Sequence, residues 1–389
     1  MRDSFVAQRA ADLKPSGIRK FFDIVLTMKG VVSLGIGEPD FTTPRHIVDA
    51  CIRALDKGET HYTANAGLIE LRQALSEHLD KLYQVKYDPA SEIILTAGGA
   101  EAIYLACNTV LDPGDEIIIP TPCYVAYQAE VFLAGGVAVE VAGKMEENFD
   151  INPKDIEAKI TPRTKAILLC FPSNPSGAVA SRDKLIEVAK LVEKYNLVVI
   201  SDEIYDRLTY GVEHVCFASL PGMRERTILL GGFSKSYAMT GWRIGYATGP
   251  ANLISVLNKI HAYTIQCAPA MAQWAALEAL KNGEPALAEM VKVYDRRRKL
   301  IVNGLNKIGL PTFEPKGAFY CFPQVSGTGI DEDTFSNRLL MEEKVAVVPG
   351  TAFGAGGEGF VRCSYATSDE NLEEALIRIE RFVKKLKTE

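Results

Sequence analysis

Short apolar runs alternate with segments of helical period between residues 92 and 235, and each run ends in a turn rich in Gly, Pro, Ser or Asn. The runs lie at 92–96, 116–119, 165–170, 197–200 and 227–230. Near-continuous apolar strands that alternate with helices are typical of a mostly parallel sheet covered by helices on both faces. The sequence therefore predicts an α/β fold built around such a sheet.

Polar and aromatic side chains cluster in the turns that follow these runs. In open α/β sheets, ligands bind in the crevice outside the carboxyl ends of the strands. We therefore expect one crevice to be lined by Gly98, Gly99, Ala100, Tyr124, Asn174, Asp202, Tyr205, Ser234 and Lys235.

The remainder of the chain predicts a second, smaller domain. The spacing of apolar residues predicts helices at 45–57, 67–84, 182–195, 270–281, 284–307 and 369–387, and a short amphipathic helix after a turn within 14–23. Short apolar segments at 317–322, 345–348 and 360–364 read as strands. We predict a large domain over 45–287 and a smaller α+β domain made of 1–44 and 288–389. The charged run at 296–299 is interpreted as a solvated helix face.

Charge and composition exclude several classes of partner. The chain has 389 residues and a net charge of −6, which gives no electrostatic reason to expect nucleic acid or an anionic membrane surface. No uncharged apolar run approaches the ~18–20 residues needed to span a bilayer, and the N-terminus lacks the pattern of a secretory signal. Eight cysteines and five histidines are scattered singly, so neither a disulfide framework nor a metal site is predicted. We expect a cytoplasmic protein.

Lys235 is the first candidate for chemistry because it lies in the turn after the apolar run at 227–230. A lysine at the end of a buried strand is less solvated than a surface lysine, and desolvation lowers its pKa. An amine of this kind suits Schiff-base chemistry. A lysine in a Gly/Ser turn is, on general grounds, more often an exposed loop residue. The other motifs must decide between these two interpretations.

Four other features each have two interpretations. Residues 98–100 follow a strand and open a helix, which suits a bound anion, although they may only form a tight turn. Asp202 is either a cofactor contact or the cap of a following helix. Asn174 lies between two prolines and is either a ligand contact or turn chemistry. Arg362 lies in an apolar strand, so its charge requires a carboxylate partner from a side chain or a ligand.

Six segments occur in an order and with separations that resemble a known family. They are Gly-Glu-Pro-Asp-Phe at 37–41, Pro-Ser-Asn-Pro-Ser-Gly at 172–177, Ser-Asp-Glu-Ile-Tyr at 201–205, the run at 234–243, Lys-Gly-Ala-Phe-Tyr at 316–320 and Val-Pro-Gly at 348–350. Over essentially its full length the chain resembles the class I/II aminotransferases, pyridoxal-5′-phosphate enzymes of fold type I. It looks most like the bacterial and archaeal aspartate, aromatic and related aminotransferases.

The resemblance implies the activity and the roles of the residues around the cofactor ring. The enzyme would move an amino group from an L-amino acid to a 2-oxo acid, with 2-oxoglutarate the expected acceptor, in a ping-pong Schiff-base mechanism. Lys235 would bind the cofactor covalently and then act as general base, while Asp202 would pair with the pyridine nitrogen. Asn174 and Tyr205 would hydrogen-bond the ring hydroxyl oxygen, and Tyr124 would stack on the ring.

The resemblance also implies how the phosphate is held. Gly99, Ala100, Ser234 and Arg243 would bind it, together with Tyr62 of a second subunit, so a homodimer with composite active sites is expected. Many relatives carry a hydroxyl or amide side chain where this sequence has Ala100. Any side-chain contact to the phosphate at that position is therefore lost.

Substrate binding is only partly marked by the sequence. The resemblance implies that Arg362 grips the α-carboxylate, helped by the backbone of Gly37 and by Asn174. A dicarboxylic donor needs a second cation, for which residues 19–20 (Arg-Lys) are candidates, although a solvated helix face is the commoner role of such a pair. Residues 263–264 (Tyr-Thr) may enter the neighbouring subunit's pocket. The identity of the amino donor stays open.

Two alternative functions exist on the same fold. Carbon–sulfur β-lyases use the same lysine, so a lyase is the alternative enzyme. Such domains also occur as effector-binding regulators fused to a DNA-binding segment. The sequence shows no additional N-terminal domain and no basic patch, which disfavours the regulator.

Overall fold

The strands of the chain fall into three sheets in a computed structural model that describes residues 5–13 and 28–389. The helix predicted within 14–23 and the candidate cations at 19–20 lie outside the described residues. The strands are β1 (Val32–Ser33), β2 (Ile93–Thr96), β3 (Glu116–Thr121), β4 (Val137–Ala142), β5 (Thr164–Cys170), β6 (Val198–Asp202), β7 (Thr227–Gly232), β8 (Gly245–Thr248), β9 (Tyr320–Cys321), β10 (Val345–Ala346), β11 (Val348–Pro349) and β12 (Val361–Ser364).

Helices connect and cover these strands. They are α1 (Gln8–Asp12), α2 (Arg45–Asp56), α3 (Ile69–Tyr83), α4 (Gly99–Val110), α5 (Ala126–Leu133), α6 (Pro153–Glu157), α7 (Arg182–Lys194), α8 (Ala251–Thr264), α9 (Ala270–Asn282), α10 (Glu284–Ile308), α11 (Glu332–Glu343) and α12 (Asp369–Leu386). The helices predicted from apolar spacing agree with α2, α3, α7, α9, α10 and α12 to within two residues at each end.

The central sheet has seven strands in the order β2-β8-β7-β6-β5-β3-β4. Strand β8 runs antiparallel to both of its neighbours, and the other pairs are parallel. The two faces are buried under different helices because side chains alternate along each strand. In β7, Ile228 and Leu230 pack with α4 and α8, whereas Leu229 packs with α3 and α9. The prediction of a mostly parallel sheet covered on both faces is confirmed.

Some elements were not predicted, for physical reasons. Strand β8 is Gly-Tyr-Ala-Thr, which is short and begins with glycine, so its sequence carries little strand signal, yet all four residues are buried. Strand β4 lies at the edge of the sheet and is mostly half-exposed. Strand β1 has only two residues and pairs in parallel with β10.

The C-terminal part forms its own small sheet next to the central one. Strands β11, β12 and β9 pair antiparallel, with Val348 opposite Arg362 and Cys363 opposite Cys321. Helices α10 and α12 pack against these strands and against β1 in a shared hydrophobic core. Residues 32–34 and the C-terminal helix α12 thereby share one core.

The charged run on α10 is only partly solvated, so that interpretation is wrong for two of its members. Arg297 is 7% exposed and Arg298 is 4% exposed. Arg297 pairs with Asp40 at 2.9 Å and with Asp369 at 3.0 Å, and Arg298 pairs with acidic side chains on and after α10. Buried charges require such partners, and those of Arg297 are distant in sequence.

Candidate active site

A cavity of about 560 Å³ lies at the carboxyl ends of the central parallel strands, where the small sheet meets them. Eleven of the residues singled out from the sequence line it: Gly37, Gly99, Ala100, Tyr124, Asn174, Asp202, Tyr205, Ser234, Lys235, Arg243 and Arg362. They come from loops, strands and the first turn of α4, spread over more than 300 residues. The position of the cavity agrees with the rule that ligand sites form at the carboxyl ends of parallel strands.

Lys235 follows β7, whose last two residues are glycines packed closely against neighbouring strands and turns. A Cβ at Gly232 would lie 2.9 Å from the side chain of Ile204, so this position has no room for a larger side chain. The Nζ atom of Lys235 donates a hydrogen bond to the carbonyl oxygen of Gly37 at 2.6 Å. Burial lowers the pKa of Lys235 to about 8. This agrees with a desolvated amine lining the cavity and not with a freely exposed loop lysine.

Asp202 is the last residue of β6, and both of its carboxylate oxygens are held. Oδ2 accepts a hydrogen bond from the hydroxyl of Tyr127 at 2.8 Å, and Oδ1 accepts one from the backbone N–H of Ile204 at 3.1 Å. Burial raises the pKa of Asp202 to about 6, and these two hydrogen bonds oppose the rise. A turn rather than a helix follows, so the helix-cap interpretation is wrong.

The raised pKa of Asp202 predicts that this carboxylate destabilises the cofactor-free protein. The protonated form of Asp202 stabilises the folded protein. This contribution is fully present below about pH 4, the pKa of the group in the unfolded chain, and is lost as the pH rises through about 6. The variant Asp202→Asn does not ionise. Its free energy of unfolding relative to the wild type should therefore increase by about 2 kcal/mol between pH 4.5 and pH 7.

This prediction is measured by urea unfolding of both cofactor-free proteins at the two pH values. The comparison between pH values cancels any constant effect of replacing one carboxylate oxygen by an amide. A difference between the two proteins that is equal at pH 4.5 and pH 7 would contradict the prediction.

Asn174 and Tyr205 lie on the turns after β5 and β6, and each is bound to a residue of the small sheet. The side-chain oxygen of Asn174 accepts a hydrogen bond from Nη1 of Arg362 at 2.9 Å. The hydroxyl oxygens of Tyr205 and Tyr320 lie 2.8 Å apart in a buried hydrogen bond. Burial raises the pKa of Tyr205 well above its ordinary value, so its hydroxyl keeps its proton and can donate it to a ligand oxygen.

Arg362 is 3% exposed and is not paired with a carboxylate among the described residues. Nη2 donates to the carbonyl oxygen of Gly35 at 2.5 Å, and the guanidinium lies 4.6 Å from the ring centre of Tyr320 and 5.0 Å from that of Phe353. Its Nε atom is buried with no hydrogen-bond partner in the described part of the chain. Because the required partner is not supplied by these residues, the guanidinium is left to bind an anion in the cavity.

The first turn of α4 forms the second anion-binding end of the cavity. Gly98 has φ +85° immediately before α4, and a Cβ there would lie 2.7 Å from Nη2 of Arg243. Nη1 of Arg243 donates to the carbonyl oxygen of Thr240 at 3.0 Å, which holds the guanidinium against the helix N-terminus. The first N–H groups of a helix have no partner within the helix and carry its positive end. This arrangement suits a phosphate.

Tyr62 is not among the residues that line the cavity of its own chain. Its side chain is 83% exposed, while the loop that carries it is fixed by Gln273. The amide of Gln273 donates to the hydroxyl of Thr63 at 3.1 Å and accepts from the N–H of Leu68 at 2.8 Å. The ring is therefore presented to the outside from a rigid loop.

Eight lining residues were missed by the sequence reasoning, among them Tyr127, Tyr320 and Glu38. Tyr127 and Tyr320 hold Asp202 and Tyr205 in place, and Glu38 lines the cavity next to Gly37. Tyr127 comes three residues after Tyr124, which was the available signal that both lie near one site. Glu38 and Tyr320 lie within two of the motifs but received no role.

Comparisons with known proteins agree with this geometry. The family described as aminotransferase class I and II matches residues 29–379. A putative aminotransferase of Bacillus subtilis, YugH, is 50% identical over 98% of this chain and 99% of its own length. An aspartate aminotransferase of Pyrococcus abyssi is 47% identical over 96% of this chain and 97% of its own. The crystal structure of an aromatic aminotransferase from Pyrococcus horikoshii has a TM-score of 0.91 at 46% identity, over 95% of this chain and 99% of that one.

The chain belongs to the class I and II aminotransferases, a class of enzymes that depend on pyridoxal phosphate. It is therefore a transferase of amino groups, and the resemblance seen in its motifs is confirmed. No helix of the described residues has the length and apolar character of a membrane span. The described residues also contain no cluster of three or more His, Cys, Asp or Glu side chains placed to hold a metal ion.

Proposed function

We propose that this chain binds pyridoxal 5′-phosphate in the 560 Å³ cavity and uses it to transfer the amino group of an L-amino acid to a 2-oxo acid. One observation carries the proposal. The same cavity is lined by a lysine amine with a pKa of about 8, a buried carboxylate and a buried guanidinium. That guanidinium has no carboxylate partner among the described residues. The proposed acceptor is 2-oxoglutarate.

The residues of the cavity fit the cofactor at each of its functional groups. The N-terminus of α4, Ser234 and Arg243 offer N–H, hydroxyl and guanidinium donors to a phosphate. Asp202 offers a buried carboxylate to a protonated ring nitrogen, and that cation would favour the ionised carboxylate. Asn174 and Tyr205 offer hydrogen bonds to a ring oxygen, and Tyr124 offers an aromatic face.

Lys235 is proposed as the residue that moves the proton. When bound, the cofactor supplies an aldehyde for exchange with amines and a ring that withdraws electrons from the substrate Cα. With its pKa near 8, Nζ of Lys235 is able to accept a proton from Cα and to return it close to neutral pH. The carbonyl of Gly37 holds this amine on the cavity side of the turn.

Arg362 is proposed to bind and orient the α-carboxylate of the substrate. Its Nη1 and Nη2 atoms are fixed by Asn174 and Gly35, and two aromatic rings hold the guanidinium plane. A guanidinium fixed in this way loses little entropy when an anion binds. The backbone of Gly37 is proposed to assist.

The amino donor stays unassigned within this proposal. One relative is named as an aspartate aminotransferase, and one similar structure as an aromatic aminotransferase. Residues 19–20, the candidate cations for a dicarboxylic donor, lie outside the described residues. Tyr263 is 89% exposed, and with Thr264 it is proposed to reach the pocket of a neighbouring subunit.

A homodimer with composite active sites is part of the proposal. The exposed aromatic rings of Tyr62 and Tyr263 support it. Tyr62 lies on a loop held by Gln273, and Tyr263 lies in the last turn of α8. We propose that Tyr62 binds the phosphate in the partner subunit's cavity. The hybrid-dimer experiment described in the Discussion tests this assignment.

We further propose the division into a large domain of 45–287 and a smaller one of 1–44 and 288–389. The central sheet lies wholly within the first, and both small sheets lie within the second. The boundary falls in the first turn of α10, next to the break between α9 and α10 at Gly283. Hydrogen exchange that protected both parts as one unit would contradict the division. A cytoplasmic location stays a prediction.

A half-reaction tests the proposed function directly. The purified holoenzyme is mixed with a single amino acid without acceptor, using aspartate, glutamate, alanine, phenylalanine, tyrosine and a diaminopimelate derivative in turn. We expect one equivalent of oxo acid per site, a lasting change in the absorbance of the bound cofactor, and its reversal on addition of 2-oxoglutarate. With a thioether amino acid in place of these donors, continuous release of a thiol, ammonia and pyruvate without acceptor would contradict transamination and indicate a lyase. No observation of this structure favours a lyase.

A further inference from the structure

We propose that Glu38 is a positioning residue that keeps a negative charge beside Lys235 and links the turn of this lysine to Arg243. The inference rests on the proposed function, because it assigns a role in the same site. Glu38 lines the cavity and follows Gly37, whose carbonyl oxygen holds Nζ of Lys235 at 2.6 Å.

A series of hydrogen bonds connects Glu38 with the phosphate end of the cavity. The hydroxyl of Thr240 donates to Oε2 of Glu38 at 3.0 Å. The carbonyl oxygen of the same Thr240 accepts from Nη1 of Arg243 at 3.0 Å. Thr240 therefore connects the carboxylate beside the reactive amine with the guanidinium proposed to bind the phosphate.

The backbone around Glu38 is fixed on the side away from the cavity. Two residues on, Asp40 pairs with Arg297 of α10 at 2.9 Å. The ring of Phe41 packs edge-on against Tyr294 at 5.4 Å and lies 5.6 Å from the guanidinium of Arg297. Glu38 itself is exposed, but the segment that carries it is anchored through Asp40 and Phe41.

The charges that face Lys235 give this carboxylate its role. Arg362 and Arg243 act to lower the pKa of Lys235, Asp202 and Glu38 act to raise it, and the rings of Tyr205 and Phe319 lie 6.0 and 5.8 Å from Nζ. Among these charges, Glu38 has the largest effect on the pKa. In the proposed complex Asp202 is committed to the ring nitrogen. Arg243 is likewise committed to the phosphate, so Glu38 is the carboxylate that remains to oppose the charge of Arg362.

The test is a pH titration of the absorbance of the bound cofactor in the holoenzyme, which reports the protonation of the group formed with Lys235. A nearby negative charge favours the protonated form, so its removal lowers the midpoint. The variant Glu38→Gln should shift the midpoint down by about half a unit to one unit, consistent with one partly screened charge. The acidic limb of the kcat/KM profile should shift in the same direction.

Three further variants separate charge from packing. Glu38→Asp keeps the charge and should restore most of the midpoint. Thr240→Val keeps the charge without the hydrogen bond and should shift the midpoint by less than Glu38→Gln. Glu289→Gln removes an exposed carboxylate on α10 that pairs with Lys292, and it should leave the midpoint unchanged.

Three outcomes would overturn the inference. An unchanged midpoint in Glu38→Gln, with an intact half-reaction, would refute the role of Glu38 and leave the proposed function standing. A wild-type holoenzyme without half-reaction would refute the proposed function and this inference with it. An equal shift in Glu38→Asp and Glu38→Gln would also refute the charge effect, because the aspartate variant retains the charge.

Discussion

Replacement of Lys235 by alanine should lower kcat for transamination by at least about 1000-fold, because the variant lacks both the amine that binds the cofactor covalently and the general base at Cα. The cavity should still bind the cofactor, since Arg243, the N-terminus of α4 and Asp202 are untouched. The measurement is turnover with the best donor of the half-reaction series, together with cofactor content after alkaline release.

The matched control is Lys292→Ala, which removes an exposed lysine on α10 whose ion pair with Glu289 lies on the surface. Its kcat should equal that of the wild type, since exposed ion pairs of this kind contribute little. If Lys235→Ala turned over at more than a few per cent of the wild-type rate, Lys235 would not be the proton carrier.

Arg362→Gln should lower kcat/KM for every amino donor by about 100-fold to 5000-fold. The lost interaction is a buried charge pair with the α-carboxylate, and truncation of one partner in such a pair costs about 3–5 kcal/mol. Arg362→Lys keeps the charge without the planar fork and should recover only part of the rate. Rates of the half-reaction against donor concentration measure these values. Equal losses of kcat/KM in Arg362→Lys and Arg362→Gln would mean that substrate binding depends on the planar guanidinium and not on the charge alone.

Hybrid dimers turn Arg362→Gln into a test of the composite site. In a mixture with Tyr62→Ala, one cavity of each hybrid would combine both defects, and the other would be intact. Activity should therefore rise above that of either parent variant when the two are refolded together. If Tyr62 acted in its own subunit, both cavities would stay defective and no activity would be regained.

The sequence predicted the central sheet and most of the candidate site because both depend on local patterns. Apolar runs of strand length and the turns that follow them are visible without the fold, and the carboxyl-end rule brings Asn174, Asp202 and Lys235 together. The family motif at 234–243 added Arg243. Arg362 was singled out as a charge within an apolar strand, and the resemblance supplied its role. All of these residues line the cavity.

The parts that could not be predicted depend on contacts between distant segments. Tyr127 binds Asp202 across 75 positions of the chain, and Tyr320 meets Tyr205 across 115. Burial of Arg297 depends in the same way on Asp40, which lies 257 positions earlier. A lone tyrosine or a run of arginines carries no local mark of such a partner. The short strand β8 was missed because tertiary packing, rather than propensity, stabilises it.

The guanidinium of Arg362 has no carboxylate partner among the described residues, and this has a consequence for the abundance of the protein as well as for substrate binding. An anion in the cavity binds the native chain and not the unfolded one, so its free concentration enters the folding equilibrium by mass action. Molecules made while the anions bound by this cavity are scarce lack that stabilisation and should spend more time unfolded, where proteases act. The supply of these anions is therefore expected to influence how long each new copy of the enzyme survives.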